Sequence, residues 1–461
     1  MRLETRIRSL GMRALASQRF LKFKRTLARV RGTIDGKPSA VHYFHQVDDP
    51  YSFLVVQHLP ALIADYNLPL HTHLISNDDA AYQGDAERFA KWAYNDASSI
   101  APFYGESLPQ HLNSPLPTQE KIAQANKLLA AFVGQPNFPE QAMLIGRDLW
   151  QNIDSLEPKP DAEGDDRQSS ETLKAGNLLI KKLGHYRGGV LYFEGEWFWG
   201  VDRIHLLRKR LADEGFAKDS LKEQEQEQEQ EQEQEQGRLT VGLPTTAKVM
   251  EPLKVKPACA KAVTLEYFPS LRSPYTAIGH QAVVDLIAHS GVELKLRPVM
   301  PMLMRGIPAP RDKQQYIITD CAREARAKEI PFGNFVDPFG DPVKRAFALY
   351  PGALSLGRGL EFISAYLAAC FAQGIDIDSD KGLRVVVGNA GLDWTELHSE
   401  SAKFAWENIL EDNLQNMLGA GLWGVPSFRI SGGSKEGKFS CWGQDRIWRV
   451  EHEIALRSEH F

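Results

Sequence analysis

Apolar and polar positions change rhythm at matching points in two stretches of this chain. In the first, SAVHYFHQ (39–46) and LPLHTHLIS (68–76) read as strands, and DPYSFLVVQHLPALIADYN (49–67) between them reads as a helix. In the second, VTLEYFPS (263–270) and VELKLRP (292–298) read as strands around the helix SPYTAIGHQAVVDLIAHSG (273–291). Both helices open alike. Asp49 or Ser273 stands at the N-cap, and Pro50 or Pro274 follows at the first helical position, where a missing N–H leaves no bond unmade.

A long helical stretch comes next in each half, over residues 77–180 and 311–420. Each half then closes with strand, hairpin and helix. These are GGVLYFEGEWFWG (188–200) with VDRIHLLRKRLADEG (201–215), and VPSFRISGGSKEGKFSCWG (425–443) with QDRIWRVEHEIAL (444–456). Trp-Gly-x-Asp-Arg-Ile is written twice, in FWGVDRIHLL (198–207) and CWGQDRIWRV (441–450). From Asp49 to Asp202 is 153 residues and from Ser273 to Asp445 is 172, so the opening and closing elements recur in order at comparable separation. That recurrence points to duplication. The element order is that of a thioredoxin fold with an inserted helical subdomain, so the expected class is α/β with two such thioredoxin-like domains in tandem.

Residues 223–236 are Glu-Gln seven times over, with no apolar side chain to offset the entropy of ordering, and predict a linker. The expected organisation is a basic amphipathic helix at 1–36, a first domain at 37–218, a linker at 219–260 and a second domain at 261–461. Residues 1–32 hold ten Lys or Arg against Glu4 alone. This pattern suits a helix laying its apolar stripe on the domain behind it, a peripheral contact with an anionic membrane surface, or a targeting peptide.

A net charge of −5 gives no reason to expect nucleic acid as a partner, and no apolar run reaches the roughly 18 residues of a spanning helix. Cys259, Cys321, Cys370 and Cys441 form no C-x-x-C and suit neither a zinc site nor a disulfide framework, so free thiols in a reducing cytoplasm are expected. His71 and His73 share one side of a strand, but without a third ligand ordinary packing is favoured and no metal is expected.

The second half resembles the DsbA-type thioredoxin superfamily, and within it the branch of 2-hydroxychromene-2-carboxylate isomerases and kappa-class glutathione transferases. SPYT (273–276), LRP (296–298), KQQY (313–316) with Asp320, GVPSF (424–428) and WGQDR (442–446) carry the resemblance, across about residues 263–455. It implies glutathione as cofactor and a small conjugated or aromatic acid as substrate. Ser273 would hydrogen-bond the glutathione sulfur at a helix N-terminus, where hydroxyl and dipole both favour thiolate. That thiolate would add to a conjugated double bond, and rotation and elimination would complete an isomerisation; in a transferase the adduct is the product. The resemblance places Val425 and Pro426 against the cysteinyl part of glutathione, Gln444 and Asp445 at its γ-glutamyl end, and Lys313 at its glycyl carboxylate. Pro426 also stands where such folds place a cis-proline.

Each of these residues has a structural reading beside it. Ser273 and Asp445 are good helix caps, Lys313 suits a solvated surface, and Tyr316 suits the core. The loop after LRP is short and lacks the family's Gly-Asn-x-Pro-Pro segment, while Met300, Met302 and Met304 suit either an apolar pocket or core filling. In the first half the serine position is Asp49, and Gly188 and Gly189 replace Val-Pro, so a degenerate domain without a second active site is expected. The alternatives are a thiol–disulfide oxidoreductase, which needs a cysteine where Ser273 stands, and a non-catalytic binding or scaffold protein.

Overall fold

The computed structural model describes residues 2–36, 38–76, 82, 86–109, 116–151, 165–221 and 250–458. The Glu-Gln repeat and parts of the 77–180 stretch lie outside them. Two compact units are formed, Lys22–Glu251 and Met1–Leu21 with Pro252–Phe461.

In the N-terminal unit, β1 (Val41–His45) pairs in parallel with β2 (Leu70–Leu74) and antiparallel with β3 (Val190–Phe193), which pairs with β4 (Glu196–Trp199). The strand order is β2-β1-β3-β4. In the C-terminal unit, β5 (Val263–Phe268), β6 (Glu293–Leu296), β7 (Ser427–Gly432) and β8 (Phe439–Trp442) repeat it as β6-β5-β7-β8. The helices Pro50–Asp65 and Pro274–Ser290 make the parallel crossovers. Helices Arg311–Ala327, Asp341–Ser355, Gly359–Ala368, Asp380–Asn389, Trp394–Ser401 and Trp406–Gly419 fill the interval between β6 and β7.

Alternation along β5 sets the core. Val263, Leu265 and Tyr267 are buried with Val283, Phe347, Tyr350, Phe428 and Ile430 in one cluster. The opposite face is not simply solvated. Glu266 there is 6% exposed and takes Arg297 at 2.7 Å and Arg429 at closer range. Burial raises its carboxyl, but the hydrogen bonds and charges of Arg429 and Arg297 outweigh that and leave it below its ordinary range.

The single helix expected over residues 1–36 is two, Leu3–Ala16 and Gln18–Ile34. Ser17 makes the break: its hydroxyl donates to the Ala14 carbonyl at 2.8 Å and accepts from Phe20 N–H at 3.2 Å, closing one helix and capping the next. The first helix packs on the C-terminal unit with Ala16 in the core cluster, Met12 and Leu15 against it, and Thr5 and Ser9 buried nearer its start. Leu3, Ile7 and Leu10 are 72%, 62% and 55% exposed, so only part of the apolar stripe is docked.

Candidate functional site at the Ser273 helix start

The hexapeptide pattern Trp-Gly-x-Asp-Arg-Ile folds the same way at both of its occurrences. Gly200 and Gly443 take positive φ, of 70° and 115°, and each leads into a three-residue 3-10 turn ending in a buried arginine, Arg203 or Arg446. A helix follows, Ile204–Asp213 or Ile447–Ser458. The glycine N–H ties the hairpin back to the preceding strand: Gly443 donates to Pro426 O at 2.9 Å, and Gly200 to Gly189 O at 2.8 Å. Gly189 thus holds the place of Pro426.

Three further bonds recur. Ser270 N–H donates to Thr276 Oγ1 at 3.4 Å, as Gln46 N–H does to Ser52 Oγ at 3.2 Å. Ser273 Oγ accepts from Thr276 N–H at 3.1 Å, as Asp49 Oδ2 does from Ser52 N–H at 2.9 Å. The Tyr275 hydroxyl donates to Asp320 at 2.8 Å, as Tyr51 does to Asp96 at 2.6 Å, each across 45 residues.

The structure brings Ser273, Val425 and Pro426 together. Ser273 caps the helix Pro274–Ser290, is half-buried, and its hydroxyl makes a long contact of 3.5 Å to the Val425 carbonyl. The Val425–Pro426 bond is cis. Trp442 lies against Gly424, where a Cβ would come within 2.0 Å of the indole, and its ring centroid is 5.0 Å from that of Trp423. A half-exposed hydroxyl, a helix N-terminus and a backbone carbonyl therefore meet beside an aromatic wall. The hydroxyl and the helix N-terminus favour an anion at Ser273, while the Val425 carbonyl suits an N–H of a peptide-like ligand. Behind it, Tyr267 donates to or accepts from His280 at 3.1 Å, and burial holds the imidazole near 4, neutral at ordinary pH.

Gln444 and Asp445 sit farther along the same helix. A Cβ on Gly279 would fall 2.9 Å from Gln444 Cβ, so the glycine lets the 3-10 turn close on the helix. Gly279 is six residues beyond Ser273, about 9 Å along the axis at a rise of about 1.5 Å per residue. Gln444 is 4% exposed and is used internally: its carbonyl accepts from Lys328 at 3.1 Å, and its amide faces Glu324 at 3.5 Å and Asp445 more closely. Asp445 is the more accessible member. Lys313 lies in the first turn of Arg311–Ala327, with Tyr316 buried one turn on.

Cys321, Cys370 and Cys441 are buried, and Cys259 is exposed outside the helix start. Nothing in the sequence pattern signalled Arg305. It lies in the turn Met302–Arg305, and its Nη2 donates to the Trp423 carbonyl at 2.8 Å, two residues before Val425.

The N-terminal unit fills the matching position. Gly188 and Gly189 press on the helix start: a Cβ on Gly189 would lie 2.9 Å from Ser52 N and 3.0 Å from Asp49 Oδ2. Burial pushes the Asp49 carboxyl up to about 6, although the Ser52 hydrogen bonds and the Arg187 charge pull it down. Among the described residues no group of three or more His, Cys, Asp or Glu is arranged to hold a metal. His42 and His73 instead hydrogen-bond each other at 3.0 Å, and burial, with the charges of His42 and His71, lowers His73 to about 3.

Residues 264–455 match the family model described as DSBA-like thioredoxin domain. The C-terminal unit therefore carries a DSBA-like thioredoxin domain. A 2-hydroxychromene-2-carboxylate isomerase structure aligns at 18% identity and TM-score 0.34, over 42% of this chain and 95% of that one. The cytosolic disulfide reductase DsbM from Pseudomonas aeruginosa aligns at 18% identity and TM-score 0.32, over 42% and 98%, and has also been solved with GSH. The oxidoreductase DsbA from Xylella fastidiosa aligns at 13% identity and TM-score 0.28, over 47% and 98%. No curated protein matches the chain. Among the described residues, no helix is long and apolar enough to cross a membrane.

Proposed function

We propose that the C-terminal unit is a glutathione-dependent isomerase or transferase acting on a small conjugated or aromatic acid. The observation that carries the reading is Ser273: a half-exposed hydroxyl at a helix N-terminus, beside the Val425 carbonyl, in a DSBA-like domain with no cysteine at that helix start. Such a site favours a thiolate yet holds no thiol of its own, so the sulfur comes with a ligand. Bound there, glutathione would supply a nucleophile for a conjugated double bond. Ser273 would turn its hydroxyl from Val425 O to the sulfur, and the helix start would oppose protonation. Val425 and Pro426 would orient the ligand backbone, Asp445 would take a cationic end, and Lys313 a carboxylate. Gln444, engaged with Lys328 and Glu324, would position Asp445 rather than grip the ligand itself.

The four recurring hydrogen bonds support reading the two units as tandem thioredoxin-like domains. Gly189 against Asp49 supports a non-catalytic role for the first. The exposed Leu3, Ile7 and Leu10 on a basic helix support a peripheral membrane contact. A cytoplasmic location fits the free cysteines. Calorimetric titration with glutathione, followed by turnover assays on conjugated acids, tests the central reading. Glutathione binding with isomerised or conjugated product is expected. Insulin reduction without either would replace it with a disulfide reductase.

A further inference from the structure

The Arg305 guanidinium is tied to the chain two residues before Val425, and no counter-charge lies beside it among the described residues. After β6 the chain runs along the carboxyl end of β5, with Arg297 N–H on Tyr267 O at 2.8 Å and Val299 N–H on Pro269 O at 2.9 Å. It then makes the turn Met302–Arg305, closed by Gly306 at φ 77°. This is the end of the sheet from which the Ser273 helix departs, where open α/β sheets place their ligands. Arg305 is fastened at one nitrogen only, through Nη2 to Trp423 O. Its Nε is buried with no acceptor. Among the described residues no carboxylate comes within ion-pair distance of it, whereas Arg297 and Arg429 on the neighbouring strands share Glu266. Burial alone acts on its ionisation, lowering it to about 10, so it is charged at neutral pH.

A half-buried guanidinium whose buried Nε donor is unfilled is unfavourable unless something completes it. Surplus arginine donors match a planar carboxylate, to which a guanidinium can bond in two-point fashion. We propose that Arg305 is the carboxylate receptor of this site: an organic acid docks its carboxylate on the free guanidinium edge while its apolar body lies towards the tryptophan wall. This rests on the reading of the Ser273 site given above. Two sources of the carboxylate share this chemistry, the conjugated acid and glutathione.

The test is calorimetric titration of the full chain, wild type, Arg305→Met and Arg305→Lys, with trans-cinnamate, its uncharged methyl ester, and glutathione. For an acid-derived carboxylate, wild type binds cinnamate about tenfold or more tightly than the ester. Arg305→Met then loses that preference, Arg305→Lys keeps part of it, and glutathione affinity is unchanged in both. If glutathione weakens about tenfold in Arg305→Met while cinnamate does not, the carboxylate is that of glutathione. Equal affinities of wild type and Arg305→Met for every probe, or no binding of cinnamate and glutathione to wild type, overturn the proposal. Near-ultraviolet circular dichroism of each variant separates lost recognition from lost folding. The cinnamate arm needs no thiol, so loss of cinnamate preference without any glutathione thiolate would leave Arg305 standing and remove the glutathione reading. Thiolate formation with no effect of Arg305 would do the reverse.

Discussion

The Asp337 carboxylate holds the guanidinium of Arg272, the residue immediately before Ser273, at 2.7 Å. The same carboxylate takes Arg8 at 2.8 Å, and the Asp337 N–H donates to Ser9 Oγ at 3.0 Å. Through one fully buried side chain, the N-terminal helix reaches the residue next to the site. Asp337→Ala leaves Arg272 without its counter-charge and Arg8 with only the exposed Glu4 at 3.7 Å, and is expected to destabilise the C-terminal unit by about 3–5 kcal/mol. Arg8→Met, which leaves Arg272 paired, should lose less. Urea unfolding of both variants checks this; a loss under about 0.5 kcal/mol in Asp337→Ala, the ordinary range for a surface change, would contradict it.

The cap and the chemistry at Ser273 are separable, because the N-terminal unit caps the same position with Asp49. Ser273→Ala should lose about 1 kcal/mol of stability together with glutathione thiolate formation. Ser273→Asp should keep the stability and still lose the thiolate, since a carboxylate repels it. Thermal unfolding beside thiolate absorbance reads both, and a thiolate that survives in Ser273→Asp would mean the serine acts only as a cap.

Asp49 by itself favours the folded N-terminal unit less as pH rises, against His45 and His73, whose burial-lowered values of about 3 favour it more over the same range. Its carboxyl ionises near 3.8 when unexceptional and near 6 when folded, so the folded state binds the proton more tightly. Its contribution is fully present below about pH 4 and is lost up to about pH 6, by about 2–3 kcal/mol. Burial raises Glu106 to about 7 against the pull of His58, so its contribution has the same sign as that of Asp49 and reaches closer to neutrality. Asp49→Asn removes the opposing contribution and should steepen the rise of the urea-midpoint profile between about pH 4 and 6; a profile that runs parallel to wild type would remove Asp49 as a contributor.

Gly424→Ala places a methyl group about where the Trp442 indole already lies, within 2.0–2.4 Å of three ring atoms. A loss of about 1–3 kcal/mol and a changed near-ultraviolet tryptophan spectrum are expected, the usual consequence of overpacking. An unaltered spectrum would mean that the indole has room to move.

Much of this fold is written in local pattern. The period change at Asp49 and Ser273, the Ser-Pro and Asp-Pro helix starts, and the repeated Trp-Gly-x-Asp-Arg-Ile each depend on neighbours within one or two turns. The buried polar contacts were not legible, because they join distant positions. Glu266 meets Arg297 across 31 residues and Arg429 across 163. Arg8 reaches Asp337 across 329. The N-terminal helix is only partly legible for a related reason: amphipathicity does not tell Met12, Leu15 and Ala16, which meet the core, from Leu3, Ile7 and Leu10, which stay exposed while Arg8 and Ser9 hold Asp337. Nothing local to Gln444 reveals that Lys328 and Glu324 lie beside it, across 116 and 120 residues.

That exposed stripe gives an expectation of its own. Full-length protein should co-sediment with vesicles containing anionic lipid, less so at high salt, and Ile7→Asp should abolish it. Equal sedimentation of wild type and Ile7→Asp would exclude the stripe as the contact.

The most direct test of the central claim is the ultraviolet absorbance of glutathione thiolate on the purified protein, titrated across pH for wild type and Ser273→Ala. Bound glutathione should ionise at least about one pH unit below the free thiol on wild type, and that shift should vanish in Ser273→Ala. Glutathione bound with an unshifted thiol, or a shift that survives the loss of the hydroxyl, would contradict it.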